Sequence, residues 1–150
     1  LFYNDGSIPT TAATADVTIT GGATFDSFGV SLTAGDFNAD GKTDLAVAAY
    51  GYSTDTGRAY IFYNDGSIPT TAATADVTIT GGATSDTFGY SLTVGDFNAD
   101  GRVDLAVGAT GYSTNTGRTY IIMSEAALVT VPNTTTVRGT VKFRGTVKIK

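Results

Sequence analysis

Hydrophobic and polar side chains alternate with a period of two in several short stretches of the chain. Residues 16–20, 28–34 and 44–49 each place apolar side chains at every second position, as half-buried strands do. Residues 58–63 form an aromatic and β-branched run, and a turn signal, Asn64-Asp65-Gly66, follows it. No stretch of twelve residues shows helical periodicity with caps. The pattern therefore predicts an all-β fold built from short strands.

The chain repeats itself with a period of 60 residues. Residues 1–60 and 61–120 agree at 49 of 60 positions, and residues 3–24 recur unchanged as 63–84. Units of this kind normally cannot bury their apolar faces alone and stack on one another. Four short strands per unit, separated by Gly-rich turns, predict four-stranded antiparallel blades of the β-propeller type. A generic β-sandwich is the alternative from the pattern alone.

A segment rich in Asp and Asn occurs once in each unit. In the first copy, side-chain oxygens stand at positions 1, 3, 5 and 9, and Gly41 at position 6 allows a sharp turn. Calcium takes six to eight oxygen ligands, and the residue at position 7 would contribute its backbone carbonyl. The loop is not an EF-hand, because Val47 replaces the Glu at position 12 and strands flank it.

The predicted ligands of two calcium ions, one ion per unit, are Asp36, Asn38, Asp40, Lys42 and Asp44, and Asp96, Asn98, Asp100, Arg102 and Asp104. Magnesium is disfavoured because it prefers one or two carboxylates and several waters. The alternative to a metal site is a solvated turn, in which three carboxylates within nine residues would repel one another.

These motifs together resemble the FG-GAP repeat of integrin α-subunit β-propellers. Phe28-Gly29 and Phe88-Gly89, the acidic loops and Gly108-Ala109 match it in order and spacing over about residues 1–123. The third element departs from the family, because residues 48–50 and 108–110 lack its Pro. The resemblance implies a four-stranded blade with calcium between its first two strands, and a role in extracellular adhesion or ligand binding.

The strand order of that family assigns the strands to blades. One complete blade takes 28–35, 44–49, 58–63 and 76–80. A second takes 88–95, 104–109 and 117–123, with 128–131 as a candidate fourth strand. Residues 1–20 would supply the last two strands of a further blade, whose unpaired edge is an association surface.

Composition and charge exclude several classes of function. With no Cys and no His, the chain has no disulfides, no Ser-His or Cys-His dyad and no imidazole-ligated metal. The net charge of −5 makes a nucleic-acid partner unfavourable. No apolar run approaches the roughly 18 residues that a membrane-spanning helix needs. Asp26 and Asp86 precede the two Phe-Gly pairs, but an active site duplicated in every blade is implausible, so no enzyme is predicted.

The charge divides the chain into two regions. Residues 1–125 contain the tandem units 1–60 and 61–120 and carry a net charge of −10, whereas residues 126–150 carry +5 and no acid. Residues 141–149 alternate apolar with polar or basic side chains, which predicts a strand-forming tail. Such a tail could complete a blade of a neighbouring subunit by strand addition and so form a ring or a filament.

The sequence thus predicts an extracellular or cell-surface calcium-binding repeat protein that acts as a self-assembling structural or adhesion building block. The partner would be a second copy of the chain, in an oligomer or polymer. The alternative is a lectin-like or protein-binding propeller module, or a fragment of a longer integrin-like adhesin. Tyr50, Tyr52 and Tyr112 could then stack on a glycan, although packing between blades is the favoured role for them.

Overall fold

The computed structural model describes residues 10–124, which form two antiparallel sheets and confirm the all-β prediction. The first sheet contains, in spatial order, β1 (Phe28–Gly35), β2 (Asp44–Ala49), β3 (Arg58–Phe62) and β4 (Val77–Thr80). The second sheet contains β5 (Phe88–Gly95), β6 (Asp104–Ala109) and β7 (Arg118–Ile122). Each strand pairs with the next one along the chain, as the strands of a propeller blade do.

Helical structure is confined to single turns. Two 3-10 turns cover Ala12–Thr14 and Ala72–Thr74, and two four-residue turns cover Tyr52–Asp55 and Tyr112–Asn115. Within residues 10–124, no helix has the length and apolar character needed to cross a membrane.

The strand registers fix where the acidic loops lie. Gly35 is opposite Asp44 in the first sheet, so the loop of residues 36–43 leaves and enters the sheet at paired positions. Gly95 and Asp104 are paired in the same way in the second sheet. Both loops therefore connect the first two strands of a sheet, as the resemblance implied.

The strand predictions within the two sheets agree with the structure to within one residue at each end. The prediction for residues 16–20 is wrong, because they form no strand, and only an isolated parallel bridge joins Thr20 to Thr71. Residues 77–80, which have the same sequence as residues 17–20, form β4 because β3 lies beside them and pairs with them. The rest of the predicted terminal strands, residues 1–9, 128–131 and the tail 126–150, lie outside the described residues.

One apolar cluster joins the two sheets. Ala46, Ala59 and Ile61 of the first sheet pack with residues of the second, including Leu105 and Val107. We call these contacting surfaces the inner faces of the two sheets. The opposite, outer face of the first sheet carries a second cluster of Val47, Ala49, Tyr60, Phe62 and Ala72.

Candidate metal centre

The acidic loop of the first sheet has the sharp turn that its Gly predicts. Gly41 has φ 85°, and Gly101 in the second loop has φ 83°. This left-handed conformation is accessible to Gly at little cost. The same two loops also hold Ala39 and Ala99 at φ 60°, which is uncommon for a residue with a Cβ.

Three side chains of the first loop turn their oxygens towards the loop's own backbone. Asp36 Oδ1 accepts a hydrogen bond from the N–H of Asp40 at 3.1 Å, and Asn38 Oδ1 accepts from the same N–H at 3.0 Å. Asp36 Oδ2 accepts from the N–H of Gly41 at 2.9 Å, and Asp40 Oδ1 accepts from that of Lys42 at 2.8 Å. The oxygens at positions 1 and 3 therefore converge on one backbone nitrogen inside the loop.

The second loop reproduces this arrangement. Asp96 Oδ1 and Asn98 Oδ1 both accept from the N–H of Asp100, at 3.0 and 2.9 Å. Asp96 Oδ2 accepts from Gly101 N–H at 2.8 Å, and Asp100 Oδ1 accepts from Arg102 N–H at 2.9 Å. The side-chain amide of Asn98 also donates to Asp100 Oδ2 at 3.1 Å.

The Asp at position 9 has a different environment in both loops. Asp44 is 1% exposed and accepts from Phe37 N–H at 2.9 Å through Oδ2 and from Asn64 N–H at 2.8 Å through Oδ1. Asp104 is fully buried and accepts in the same way from Phe97 and Ser124, both at 2.9 Å. Each carboxylate therefore ties the start of its loop to the residues after the third strand.

This anchoring role was missed at the level of sequence. The signal for it was an acidic residue at the first position of a buried strand, where a carboxylate needs hydrogen-bond donors. The spacing pattern identified Asp44 and Asp104 only as ligands.

The residue at position 7 carries a positive charge next to the carboxylates. Lys42 Nζ lies 3.9 Å from Asp40 Oδ2, and the Lys42 side chain is 49% exposed. The Lys42 ammonium group therefore stays near the loop. Its partial exposure keeps the contribution of this ion pair small.

The donor chemistry of each loop fits calcium, since carboxylate, amide and carbonyl oxygens are the ligands that this ion prefers. The arrangement itself satisfies the carboxylates with backbone N–H groups. Across residues 10–124, no cluster of three or more acidic side chains is arranged to hold a metal ion. Calcium binding by the ten predicted ligands therefore stays a prediction.

The tyrosines considered for glycan stacking have partners within the chain. The Arg58 guanidinium lies 3.7 Å from the centre of the Tyr52 ring, and that of Arg118 lies 3.6 Å from the Tyr112 ring. Tyr50 packs on Tyr90 across the two sheets, with ring centres 5.6 Å apart. Tyr50 therefore packs between the sheets as predicted, whereas Tyr52 and Tyr112 each stack on an arginine of their own unit.

Tyr60, Asp26 and Asp86 are further buried polar residues in this part of the fold. Burial raises the pKa of Tyr60, while the neighbouring Arg58 acts in the opposite direction. Asp26 and Asp86 are 7% and 6% exposed. Their backbone carbonyls accept hydrogen bonds from Gly51 and Gly111, each at 3.1 Å, so both positions hold a turn against its sheet.

A groove of about 530 Å³ opens between the sheets beside the acidic loops. Ile61, Val77 and Leu105 line its apolar floor, and Asn38 and Arg102 contribute polar groups from the two loops. The groove shows that the loops of neighbouring sheets border a common surface.

Comparison with known families agrees with this geometry. The model of the FG-GAP repeat matches residues 28–62 and 88–122, which run from β1 to the end of β3 and from β5 to the end of β7. The chain contains two FG-GAP repeats.

Relatives with this repeat include two integrin subunits. Integrin alpha-PS5 of Drosophila melanogaster is 44% identical over 87 residues, which are 55% of this chain and 8% of that protein. Integrin alpha-M of Mus musculus is 43% identical over 90 residues, which are 57% of this chain and 8% of that protein.

An enzyme also contains matching repeats. The phosphatidylinositol-glycan-specific phospholipase D of Bos taurus is 37% identical over 122 residues, which are 71% of this chain and 14% of the enzyme. The FG-GAP chain thus corresponds to only 8 to 14% of the length of these three relatives.

Proposed function

We propose that this chain is a calcium-stabilised building block that acts in adhesion or structural assembly outside the cell. The observation that carries the proposal is the duplicated loop, in which Asp36 and Asn38 turn their oxygens inward onto one N–H group. The buried Asp44 fixes the same loop to its sheet. A site repeated in every sheet suits a stabilising ion better than a single reaction centre.

The residues that would hold calcium are the ten predicted ligands, with Lys42 and Arg102 contributing backbone carbonyls. When bound, the ion supplies positive charge that offsets three neighbouring carboxylates. The exposed residues Asn38 and Asp40 can exchange their backbone hydrogen bonds for a cation without disturbing the core. Asp44 already stands in a fixed position at the start of β2.

The relatives support an extracellular location and a binding role. Two of them are named as integrin α-subunits, and the FG-GAP resemblance implies proteins that act in adhesion. Calcium sites of extracellular modules have dissociation constants on the order of 10⁻⁴–10⁻³ M, which suit the medium outside a cell. We propose that this chain contributes binding rather than catalysis, because the phospholipase match covers only 14% of that enzyme.

A protein-binding module is the second candidate function. The groove between the sheets is lined mainly by apolar side chains, including Ile61, Val77 and Ile122, which favours a protein ligand. The Tyr52 and Tyr112 rings are stacked by Arg58 and Arg118, which favours a protein ligand over a glycan that would stack on these rings. A glycan array and a panel of extracellular-matrix proteins, probed with calcium-loaded chain, would separate these ligand classes.

Thermal denaturation with added calcium or with a chelator tests the proposed function. Calcium should raise the melting temperature of the wild type, and the double variant Asp40→Ala/Asp100→Ala should lose most of that increase. Asp65→Ala is the matched control, because it removes an exposed carboxylate outside both loops. A melting temperature that calcium leaves unchanged would contradict the proposal.

A further inference from the structure

Each outer face of the chain has the same residue positions as the inner face of the other sheet. The outer face of the second sheet corresponds to the inner face of the first, and the outer face of the first sheet corresponds to the inner face of the second. Positions 60 residues apart have the same surroundings within their sheets but different exposure. Ile61 on the inner face of the first sheet is 7% exposed, whereas Ile121 on the outer face of the second sheet is 49% exposed. Phe37 is 9% exposed and Phe97 is 44% exposed. The outer face of the second sheet therefore retains apolar side chains of the kind that hold the two sheets together.

The outer face of the first sheet shows the reciprocal relation. Leu92 packs against the core between the sheets, whereas its counterpart Leu32 is 63% exposed. Gly89 is buried against the first sheet, and Gly29 is exposed. The first sheet thus presents outward the surface that the second sheet uses to bind it.

The polar contacts between the sheets are also only half used. The turn after β2 is left-handed, with Thr54 at φ 57° and Asp55 at φ 58°. The carbonyls of these two residues accept hydrogen bonds from the N–H groups of Ser85 and Thr87, at 3.2 and 2.7 Å.

The second sheet has the same turn, and within residues 10–124 its carbonyls at Thr114 and Asn115 accept no hydrogen bond. Thr114 and Asn115 have φ 58° and 67°. Within residues 10–124, no group donates a hydrogen bond to either carbonyl, and the N–H groups of Phe25 and Ser27 donate none. These are the counterparts of the donors Ser85 and Thr87.

An unpaired strand edge completes the comparison. The edge strand β4 pairs with β3, with Arg58 opposite Thr80 and Tyr60 opposite Thr78. Within residues 10–124, no strand lies on the corresponding edge of β7. Residues 18–20 have the same sequence as residues 78–80. Ile19 already packs on the outer face of the first sheet.

We infer that a second copy of this chain docks head to tail on the outer face of the second sheet. The outer face of its first sheet, with Leu32, covers Phe97 and Ile121. Its residues 18–20 become the fourth strand of the second sheet, with Thr20 opposite Arg118. The carbonyls of Thr114 and Asn115 accept hydrogen bonds from the N–H groups of Phe25 and Ser27 of the second copy. The contact is heterologous, so it produces a ring or a filament.

This inference rests on the assembly role within the proposed function and names its partner and surface. It differs from strand addition by the tail, because residues 18–20 supply the strand here. Calcium binding is a separate property that is measured on the same samples.

Mass measurement of the full-length chain in solution, across a concentration series, tests the inference. The wild type should form species heavier than the chain mass of 15.3 kDa. Ile121→Asp and Leu32→Asp should each remain monomeric, because each disables one of the two faces. Ile61→Asp is the matched control for Ile121→Asp, and it should instead lower the melting temperature because Ile61 is buried within the chain.

Mixing the two variants tests the head-to-tail geometry. Ile121→Asp keeps the outer face of the first sheet and Leu32→Asp keeps that of the second, so an equimolar mixture should form a heterodimer and nothing larger. A wild type that is monomeric at every concentration would overturn the inference, even if it binds calcium. Assembly that neither variant reduces would overturn it as well, since another surface would then be responsible.

Paired cysteines offer a second measurement that does not depend on disrupting the fold, because the chain has no native Cys. The double variant Thr119→Cys/Ile19→Cys places thiols opposite each other in the proposed register, where opposite Cα atoms lie about 4.5–5.5 Å apart, within the span of a disulfide. Mild oxidation should give covalent dimers and larger species. Ala59→Cys/Ile79→Cys, which are paired within the chain, should give a cross-linked monomer. The contact would be refuted if oxidation of the Thr119→Cys/Ile19→Cys variant gave monomer and no covalent dimer.

Discussion

Replacing Asp44 by Ala removes both acceptors that hold the first acidic loop to the end of β3. The side chain is 1% exposed, and its two oxygens accept from the N–H groups of Phe37 and Asn64 at 2.9 and 2.8 Å. A hydrogen bond to a charged group contributes about 1.5–3 kcal/mol, so the two together contribute about 3–6 kcal/mol. This is a large part of the 5–15 kcal/mol typical of a domain's stability.

Asp40→Ala is the matched comparison within the same loop. The Asp40 carboxylate is partly exposed, and it accepts from Lys42 N–H at 2.8 Å. Its loss should cost about 1 kcal/mol without calcium, since water replaces the acceptor. The two substitutions each remove one carboxylate, and they differ in burial and in the number of backbone groups left unpaired.

Urea unfolding in the presence of a chelator measures both effects without the contribution of a metal. The reasoning predicts that Asp44→Ala lowers the free energy of unfolding by at least 2 kcal/mol more than Asp40→Ala, that being the gap between about 3 and about 1 kcal/mol. Repeating the measurement with calcium should enlarge the effect of Asp40→Ala. Equal losses in the chelator would refute the anchoring role of Asp44.

Three further predictions concern single residues. Gly41→Ala should cost about 1–2 kcal/mol in urea unfolding because Gly41 has φ 85°. Gly22→Ala should be near neutral because nothing lies within 4 Å of a Cβ added at that position, and equal effects of the two variants would contradict the turn geometry. Gly57→Ala should destabilise the chain more than Gly117→Ala. A Cβ at Gly57 collides with the carbonyl of Phe88, whereas the atom nearest to a Cβ at Gly117 is 3.9 Å away. Similar melting temperatures of the two variants would argue against the close approach at Gly57. Burial raises the pKa of Tyr60, so the folded chain holds this proton more tightly than the unfolded chain. The contribution of Tyr60 to stability is therefore fully present below about pH 10 and is lost as the pH rises through its folded-state pKa. Tyr60→Phe should reduce the alkaline loss of stability in urea unfolding, and an unchanged loss would contradict this linkage.

The strands and the position of the loops followed from the sequence because both depend on local information. Period-two alternation and Gly-rich turns located β2 and β6 at the residues observed. The spacing of Asp36 and Gly41 located the sharp turn, since a left-handed residue in a tight acidic loop is best supplied by Gly.

Features that depend on a neighbouring segment could not be predicted in this way. Residues 17–20 and 77–80 have one sequence, yet only the second forms a strand, because only that copy lies beside β3. The buried hydrogen bonds of Asp44 also reach 20 residues along the chain to Asn64, a separation that the loop motif does not encode. Local pattern identified the elements, and tertiary contact decided which of them form.

The left-handed turn at Ser53–Asp55 is a further example. Its three residues have φ between 49° and 58° without any Gly, and nothing in the letters Ser-Thr-Asp indicates this. The same conformation recurs at residues 113–115, where no described residue donates to the carbonyls of Thr114 and Asn115. The turn is therefore a property of the repeated unit, and the first copy also uses it to bind the second sheet.

Counting calcium ions per chain by native mass spectrometry tests the central claim most directly. The account predicts two ions on the wild type, one on Asp40→Ala and none on Asp40→Ala/Asp100→Ala, with Asp65→Ala retaining two. A wild type that binds no calcium at millimolar concentrations, or that binds it equally well after both substitutions, would contradict the account.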